Sequence, residues 1–514
     1  MARPIPSAAP VSRLVPSPVA SPTLSSEIAG RSPVSVLAAL LPREDWGIVM
    51  PWLERVASTA DAESAPGLGS VAFVVATIDA MLGRQLDAVL HHERFQALEA
   101  RWLGVRRLCH RIGKDEDRIK LRLLDVSWRE VVRDLEKAME FDQSQMFRLV
   151  YSAEFGMPGG EPFAVLLGDY QIRHRRSKER PEDDIGALRG MAQVAAASFC
   201  PFIANAHPSL FGIDSFREFE RPIDIGAAFR GPEYTAWNSL RRIEDTRFLG
   251  LTLPRILMRL PHRDDPTRGD GFVYREDAHA RDGSGYLWGG AAWALGEVLI
   301  RTFAEYGWLA AIRGVERDSE SGGLVTTLPV DSFWTDRRGL IAKGGVDVQL
   351  SADHERELGE LGFVALTHCA GTPYAAFHGN QSVHAPPPVA PGPEKAVVEV
   401  NEKLGSMLQY IFCVSRFAHY VKVIARDKVG SFTRADEIER LLNKWLLEYA
   451  TASEKAQSET QAKYPLREAH VEVREIPGKP GVFKSIVHLR PHFQLDQMTT
   501  SVKLVTELVA SRSG

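Results

Sequence analysis

Between Ala469 and Leu489 the chain alternates with a period of two, and this limits what its C-terminal region can become. Ala469, Val471 and Val473 fall on one face, and His470, Glu472 and Arg474 on the other. After the Pro477-Gly478-Lys479-Pro480-Gly481 turn, Phe483, Ser485, Val487 and Leu489 continue a single face. This reads as a β-hairpin with one apolar and one charged surface. Such a hairpin is marginal alone and needs helices or further strands, from its own chain or another. The N–H of Val473 is expected in its ladder, so that proline there would break the pairing. Two helices precede it. Leu404, Met407, Leu408, Ile411, Val414, Ala418 and Val421 mark a long one ending near Gly430. Ile438, Leu441, Leu442, Trp445 and Tyr449 stripe a second, opened by Thr433 and Asp436. None of this carries catalytic residues, so the segment is as fit for assembly as for core.

With 514 residues the chain can bury one large core or two to three domains. Its net charge of -4 argues against a general nucleic-acid binder. The basic run His174-Arg175-Arg176-Ser177-Lys178 is followed by Glu182-Asp183-Asp184 and reads as a solvated loop. Cys109, Cys200, Cys369 and Cys413 are far apart, which excludes a zinc ribbon or a CxxC pair. Buried free thiols in a reducing cytoplasm fit best. The sequence offers no run of 18 apolar residues and no signal-peptide pattern, so membrane insertion is not expected.

Three regions are expected: an N-terminal arm over 1–58, a main α/β region over 59–390 and a C-terminal domain over 391–514. The first 34 residues are rich in Pro, Ser and Ala and read as disordered. Within the arm, Val36, Leu37, Leu40 and Leu41 form a short apolar patch, either a docking peptide or a loose contact with the core. Residues 59–70 read as a linker. A helix is expected from Val74 to about Val105, a strand over Arg118–Val126, and a helix from Trp128 opened by a Ser127/Glu130 capping box. A strand over Phe163–Leu167, a helix over Ile185–Ser198 and a strand over Pro201–Asn205 follow. That order implies a doubly wound, parallel α/β sheet. Beyond it come a helix over Ala291–Tyr306, strands over Val325–Phe333 and Val346–Leu350, and a strand and turn over 364–377.

A search for chemistry returns little. P-loop, GxSxG and HExxH motifs are missing from the sequence. His91 and His92 are adjacent on a helix and point about 100° apart, which suits a structural role. His368, Cys369, His378 and His384 share a segment, but their spacing matches no standard zinc pattern. His488 and His492 lack a nucleophile beside them, and Glu161 reads as a strand-entry residue. Asp169 and Tyr170 end an expected strand, where α/β enzymes keep ligands, so an α/β enzyme with its site there is the alternative from another class. Neither a metal nor a cofactor is expected.

Long blocks of text carry a resemblance. They are LDAVLHHERFQALEARWLGV (Leu86 to Val105), FDQSQMFRLVYSAEFGMPGGEPFAVLLGDY (Phe141 to Tyr170) and FCPFIANAHPSLFG (Phe199 to Gly212). RFLGLTLPRILMRLPH (Arg247 to His262), YLWGGAAWALGE (Tyr286 to Glu297), SRFAHYVKVIARDKVGSF (Ser415 to Phe432) and the YPLREAHVEV…VHLRPHFQL hairpin follow in order. Together they resemble the large sheath subunit of the bacterial type VI secretion system, the TssC/VipB (ImpC/EvpB) family. The resemblance implies phage-tail-sheath-like core domains and a mechanical, non-enzymatic role. It implies a heterodimer with the small sheath subunit (TssB/VipA), and stacking of these and further copies into a helical contractile tube around an Hcp inner tube. The tube would lie in the bacterial cytoplasm, docked through a baseplate to the membrane complex. In the family a ClpV-type AAA+ ATPase disassembles contracted sheath, in some systems through an N-terminal helical segment; here the first 34 residues are proline-rich instead, which departs from that pattern and leaves Val36, Leu37, Leu40 and Leu41 as the one candidate docking segment. C-terminal strands of the family pair with strands of neighbouring subunits, which puts Val471, Val473, Val487 and Leu489 at that pairing. A phage-like contractile injector would keep these mechanics and change the partners.

Overall fold

The computed structural model describes residues 68–113, 116–157, 159–178, 180–221, 223–264, 272–278, 285–315, 320–335, 339–388, 395–428, 435–451, 458–475, 482–492 and 502–509. The N-terminal arm, its Val36–Leu41 patch and linker residues 59–67 lie outside them. Two compact units result. In the smaller, helix α1 (Leu68–Leu90) is joined by the segment His262–Glu276. There the Tyr274 hydroxyl donates to Asp87 at 2.6 Å.

The larger unit opens with α2 (Glu93–Ile112). The single helix expected over Val74–Val105 is therefore broken at His91-His92. His92 takes an extended conformation (ψ 126°) and its ring nitrogen accepts from the Arg94 N–H, so a residue expected inside a helix instead starts one. Helix α3 (Trp128–Lys137) begins with the expected Ser127/Glu130 capping box. Arg118–Val126 forms no strand. Leu123 is 63% exposed and Leu124 57%, so the alternation there buries no face. The segment is tied down instead by Val126, whose carbonyl accepts from the Tyr170 hydroxyl at 2.9 Å, and by ion pairs of Lys120 and Arg122 with Glu161.

Strand β1 (Leu166–Ile172) lies later than the expected Phe163–Leu167, because its second half, Gly168 to Gln171, is polar text on an edge strand. Next come α4 (Asp184–Ser198), β2 (Phe202–Ala206), β3 (Leu249–Leu253), β4 (Ile256–Leu257), β5 (Trp288–Gly289) and α5 (Ala292–Tyr306). Strands β6 (Leu324–Val325), β7 (Asp331–Thr335) and β8 (Gly339–Lys343), helix α6 (Ala352–Glu360), β9 (Val364–His368) and β10 (Ala375–Phe377) follow. The main sheet has the order β1-β2-β3-β9-β10-β6. Its first four strands are parallel, β10 runs antiparallel to β9, and β6, antiparallel to β10, returns to the direction of the first four. Val346–Leu350 contributes only a bridge between Val346 and Ile256. Asp347 explains why the chain is pinned there without a ladder. Its buried carboxylate takes two bonds from Arg255, at 2.9 and 2.8 Å, with Arg217 3.6 Å away.

Both faces of the sheet are covered, and the period of two in β2 decides which side chain goes where. Phe202 and Ala204 face a core built with Ile185, Leu188 and Met191 of α4 and the rings of Phe211, Phe216, Trp237 and Phe363. Ile203 faces the opposite core with Leu108 of α2, Leu295 and Val298 of α5, and Phe377. Helices α2 and α5 approach so closely that a Cβ on Gly104 would sit 2.4 Å from the Trp293 ring.

Beyond the sheet come α7 (Lys395–Gly405), α8 (Leu408–Lys428), α9 (Ala435–Leu447) and α10 (Ser458–Lys463). Last are β11 (Leu466–Glu475), β12 (Val482–Pro491) and β13 (Val502–Val509). The hairpin expected from the alternation is β11–β12, and a third strand joins it.

Candidate assembly interface

The C-terminal strands form an antiparallel sheet of order β11-β12-β13. Ala469 lies opposite Leu489, Val471 opposite Val487 and Val473 opposite Ser485, so the apolar faces of the two hairpin strands coincide. Val471, Val473, Val487 and Leu489 are all buried, in a core with Phe417 and Val421 of α8 and Leu442 and Leu446 of α9. Their side chains thus pack within their own chain. The other face is largely polar, with the pair Arg474–Glu472 at 3.1 Å and a half-buried Arg490 3.2 Å from Glu468. Pairs of this kind contribute about 0–1 kcal/mol each.

Helix α8 joins this sheet to the main one. Leu408 and Phe412, near its start, belong to the core under the main sheet. Phe417, Ala418 and Val421, one to three turns later, belong to the C-terminal core. Trp308, just past α5, stacks on Phe417 with ring centroids 4.1 Å apart. His419 adds a polar tie: its Nε2–H donates to the Ser198 carbonyl at the end of α4 at 2.9 Å, and its Nδ1 accepts from Arg416 at 3.3 Å. Burial and the neighbouring guanidinium push this histidine down to about 3, so it is neutral.

One edge of the C-terminal sheet is closed by side chains of α9. The Val471 N–H donates to Asn443 Oδ1 at 2.9 Å, and Asn443 Nδ2 donates back to the Val471 carbonyl at 2.9 Å. Two residues on, the Val473 N–H donates to Glu439 Oε2 at 2.9 Å. At the start of the strand, Leu466 donates to the Tyr449 carbonyl at 3.2 Å and accepts from the Thr451 N–H at 2.8 Å. The expectation that Val473 donates into the hairpin ladder is thereby overturned. In an antiparallel strand alternate residues point their backbone groups to opposite sides, and Val473 points away from β12. Glu439 and Asn443 were not legible as functional residues; their one signal is an i, i+4 polar pair beside the apolar stripe of α9.

The residues weighed for chemistry are occupied otherwise. Asp169 lies within β1, not at its end, and accepts from Trp293 Nε1 at 3.1 Å and Arg101 Nε at 3.3 Å. Burial raises its carboxyl above the usual range. Tyr170 is spent on the Val126 carbonyl, and burial pushes its phenol up to about 12. His384 is buried with Nδ1 3.0 Å from the Ile243 carbonyl, and burial pushes it down. No group of three or more His, Cys, Asp or Glu among the described residues could hold a metal ion. Of the four cysteines expected to be buried thiols, Cys200 and Cys413 are buried, but Cys369 is half-buried and Cys109 is exposed on α2; burial pushes Cys413 up to about 12. Asn205, in the FIANAHPSLFG block, supplies a cap that α5 lacks: its Oδ1 accepts from the Ala292 N–H at 3.0 Å and from Thr252 at 3.0 Å. No helix among the described residues is long and apolar enough to cross a membrane.

Comparison with known proteins agrees with this layout. Residues 72–384 match the EvpB/VC_A0108 tail sheath N-terminal domain. Residues 397–508, which include α8, α9 and the three-stranded sheet, match the EvpB/VC_A0108 tail sheath gpW/gp25-like domain. The chain is 38% identical over 456 residues to a type VI secretion system sheath protein, TssC1 of Pseudomonas aeruginosa, covering 88% of each. With two sheath domains in sequence and a relative matched across most of both chains, this chain belongs to the TssC/VipB (EvpB) family of type VI secretion sheath proteins, a structural and not an enzymatic family.

Proposed function

We propose that the chain is the large subunit of a contractile sheath. It pairs with a small TssB/VipA-type subunit, and the heterodimers and further copies polymerise as a helical tube around an Hcp inner tube. The assembly lies in the bacterial cytoplasm, docked through a baseplate. One observation carries the reading: a strand-bearing C-terminal sheet is locked to the α/β body by α8, which has residues in both cores. Strand addition links protomers mainly through backbone hydrogen bonds and is tolerant of sequence. Such links persist while rigid bodies rotate past one another. A heterologous interface that does not close generates a helical filament. The stretch of β11 and β12 around Val471, Val473, Val487 and Leu489 would serve by presenting the sheet, its side chains holding it to α8 and α9.

Co-expression with the small subunit, followed by electron microscopy of the purified material, tests the proposal. Tubules of helical symmetry are expected. A monodisperse monomer, indifferent to the small subunit, would overturn it.

A further inference from the structure

Helix α2 carries two apolar faces, and only one of them is used within the chain. Ala100, Gly104 and Leu108 are buried on the side of α5, whose Trp293 and Leu295 share their core. On the other face, Phe95, Leu98, Trp102, Val105 and Cys109 recur at alternating spacings of three and four. At about 100° per residue, Trp102 points about 200° away from Ala100 and Gly104, so the two stripes lie on opposite sides of the helix. Phe95 is 37% exposed, Leu98 52% and Trp102 63%, while Val105 is half-buried and Cys109 exposed. The outer stripe runs about 21 Å along the helix. A single exposed leucine is ordinary, but a tryptophan, a phenylalanine and a leucine in register on one face are not. An apolar seam of this period is the surface on which a second helix packs, its side chains entering the gaps between successive positions.

The charges bordering the seam are mostly of one sign. Arg94 and Arg101 flank it on one side and Arg106 on the other. Arg94 and Arg106 make no ion pair among the described residues, and the Arg101 guanidinium, 59% exposed, lies 3.3 Å from Asp169. Glu99, on the flank of Arg106, is held by Arg259 at 2.5 Å. A second copy of α2 laid on the seam would oppose arginine to arginine in either direction. A helix with carboxylates beside its own apolar stripe would meet opposite charge.

We infer that the outer face of α2 is a helix-docking surface, and that its occupant is an amphipathic helix of the small sheath subunit, seated on Phe95, Leu98 and Trp102 with its flanking carboxylates toward Arg94, Arg101 and Arg106. The occupant rests on the sheath reading; the surface is read from this chain alone. Trp102, central and the most exposed of the three, carries most of the binding. Helix packing reads side chains whereas strand addition reads backbone, so this face is where the large subunit tells its partner from other polypeptides.

Thiol labelling of the full chain tests the inference, because Cys109 ends the seam. With iodoacetamide and peptide mass spectrometry, Cys109 should react readily in the free chain and about tenfold or more slower in the complex with the small subunit. Trp102→Ala removes an exposed side chain, so its circular dichroism should match the parent, while affinity for the tagged small subunit in a pull-down titration should fall about 30-fold or more. Arg94→Glu/Arg106→Glu should weaken binding about tenfold or more, and Arg94→Lys/Arg106→Lys should bind as the parent. Cys109 reacting equally fast in a complex that forms, or a folded Trp102→Ala that binds as the parent, overturns the inference and leaves the sheath reading standing. Cys109 already shielded in a free monomer would make the chain's own N-terminal arm the occupant, and shielding that rises as the chain alone dimerises would make it a second copy; either overturns the inference. A parent chain that forms no complex at all overturns the sheath reading, and the small-subunit occupant falls with it.

Discussion

His419 Nε2–H donates to the carbonyl of Ser198 at 2.9 Å, tying the C-terminal helix α8 to the end of α4. The bond requires a neutral ring, because Nδ1 already faces the Arg416 guanidinium. The folded-state value is about 3 against an ordinary 6.5. Below pH 6.5 the unfolded chain takes up a proton that the folded chain refuses. Stability from this group is therefore complete above pH 6.5 and is lost as pH falls toward 3. His207, pushed down to about 4 by burial and Arg173, acts in the same sense. Each contributes a slope of at most about 1.4 kcal/mol per pH unit. Asp169 and Asp184, raised by burial, act in the opposite sense at lower pH. Calorimetry between pH 7 and 4.5 should give a falling Tm. His419→Gln, which keeps a donor without a titration, should show a shallower fall; an equal fall would remove His419 as a cause.

Truncating the helix that spans both cores should weaken the whole unit. Phe412 and Phe417 are fully buried, one in each core. Either change to alanine should cost about 3–5 kcal/mol in urea unfolding. Because α8 is shared, both variants should still unfold in one transition. Two separate transitions would contradict a rigid coupling.

Close approach at the start of α5 gives a glycine test. A Cβ on Gly290 would lie 2.2 Å from the Asn205 side-chain amide, which caps Ala292. Gly290→Ala should cost about 1–3 kcal/mol through overpacking. Asn205→Ala should cost about 0.5–2 kcal/mol through the lost cap. If Gly290→Ala melts with the parent, the packing described for this corner is wrong.

Proline scanning of β11 separates ladder from edge. Val473 donates to Glu439 and Glu472 lies opposite Ile486. Alternation turns the Glu472 N–H toward β12. Glu472→Pro should abolish tubules in the co-expression assay. Val473→Pro, which sacrifices one outward bond at an edge where proline is tolerated, should retain them in reduced yield. The reverse order would show that the register is misassigned.

Much of this protein is written locally. The Ser127/Glu130 capping box, the helix over α4 and the two faces of the hairpin follow from spacing alone, because each depends on residues within a few positions of one another. The ordered sheath blocks carry the family, since such a match requires no knowledge of contacts. Other features depended on what lies across space. The alternation over Arg118–Val126 makes no strand because no strand is beside it, and the helix through His91-His92 breaks because His92 caps its successor. The role of Asp169 passes from a candidate ligand site to a structural bond with Trp293, 124 positions away. Above all, the alternation of β11 determines which side chains are buried, but not what its outward backbone groups bond. Those partners are Glu439 and Asn443, some 30 residues earlier (28 positions for Asn443, 34 for Glu439), because backbone hydrogen bonds are satisfied by whatever polar group the tertiary packing brings within reach.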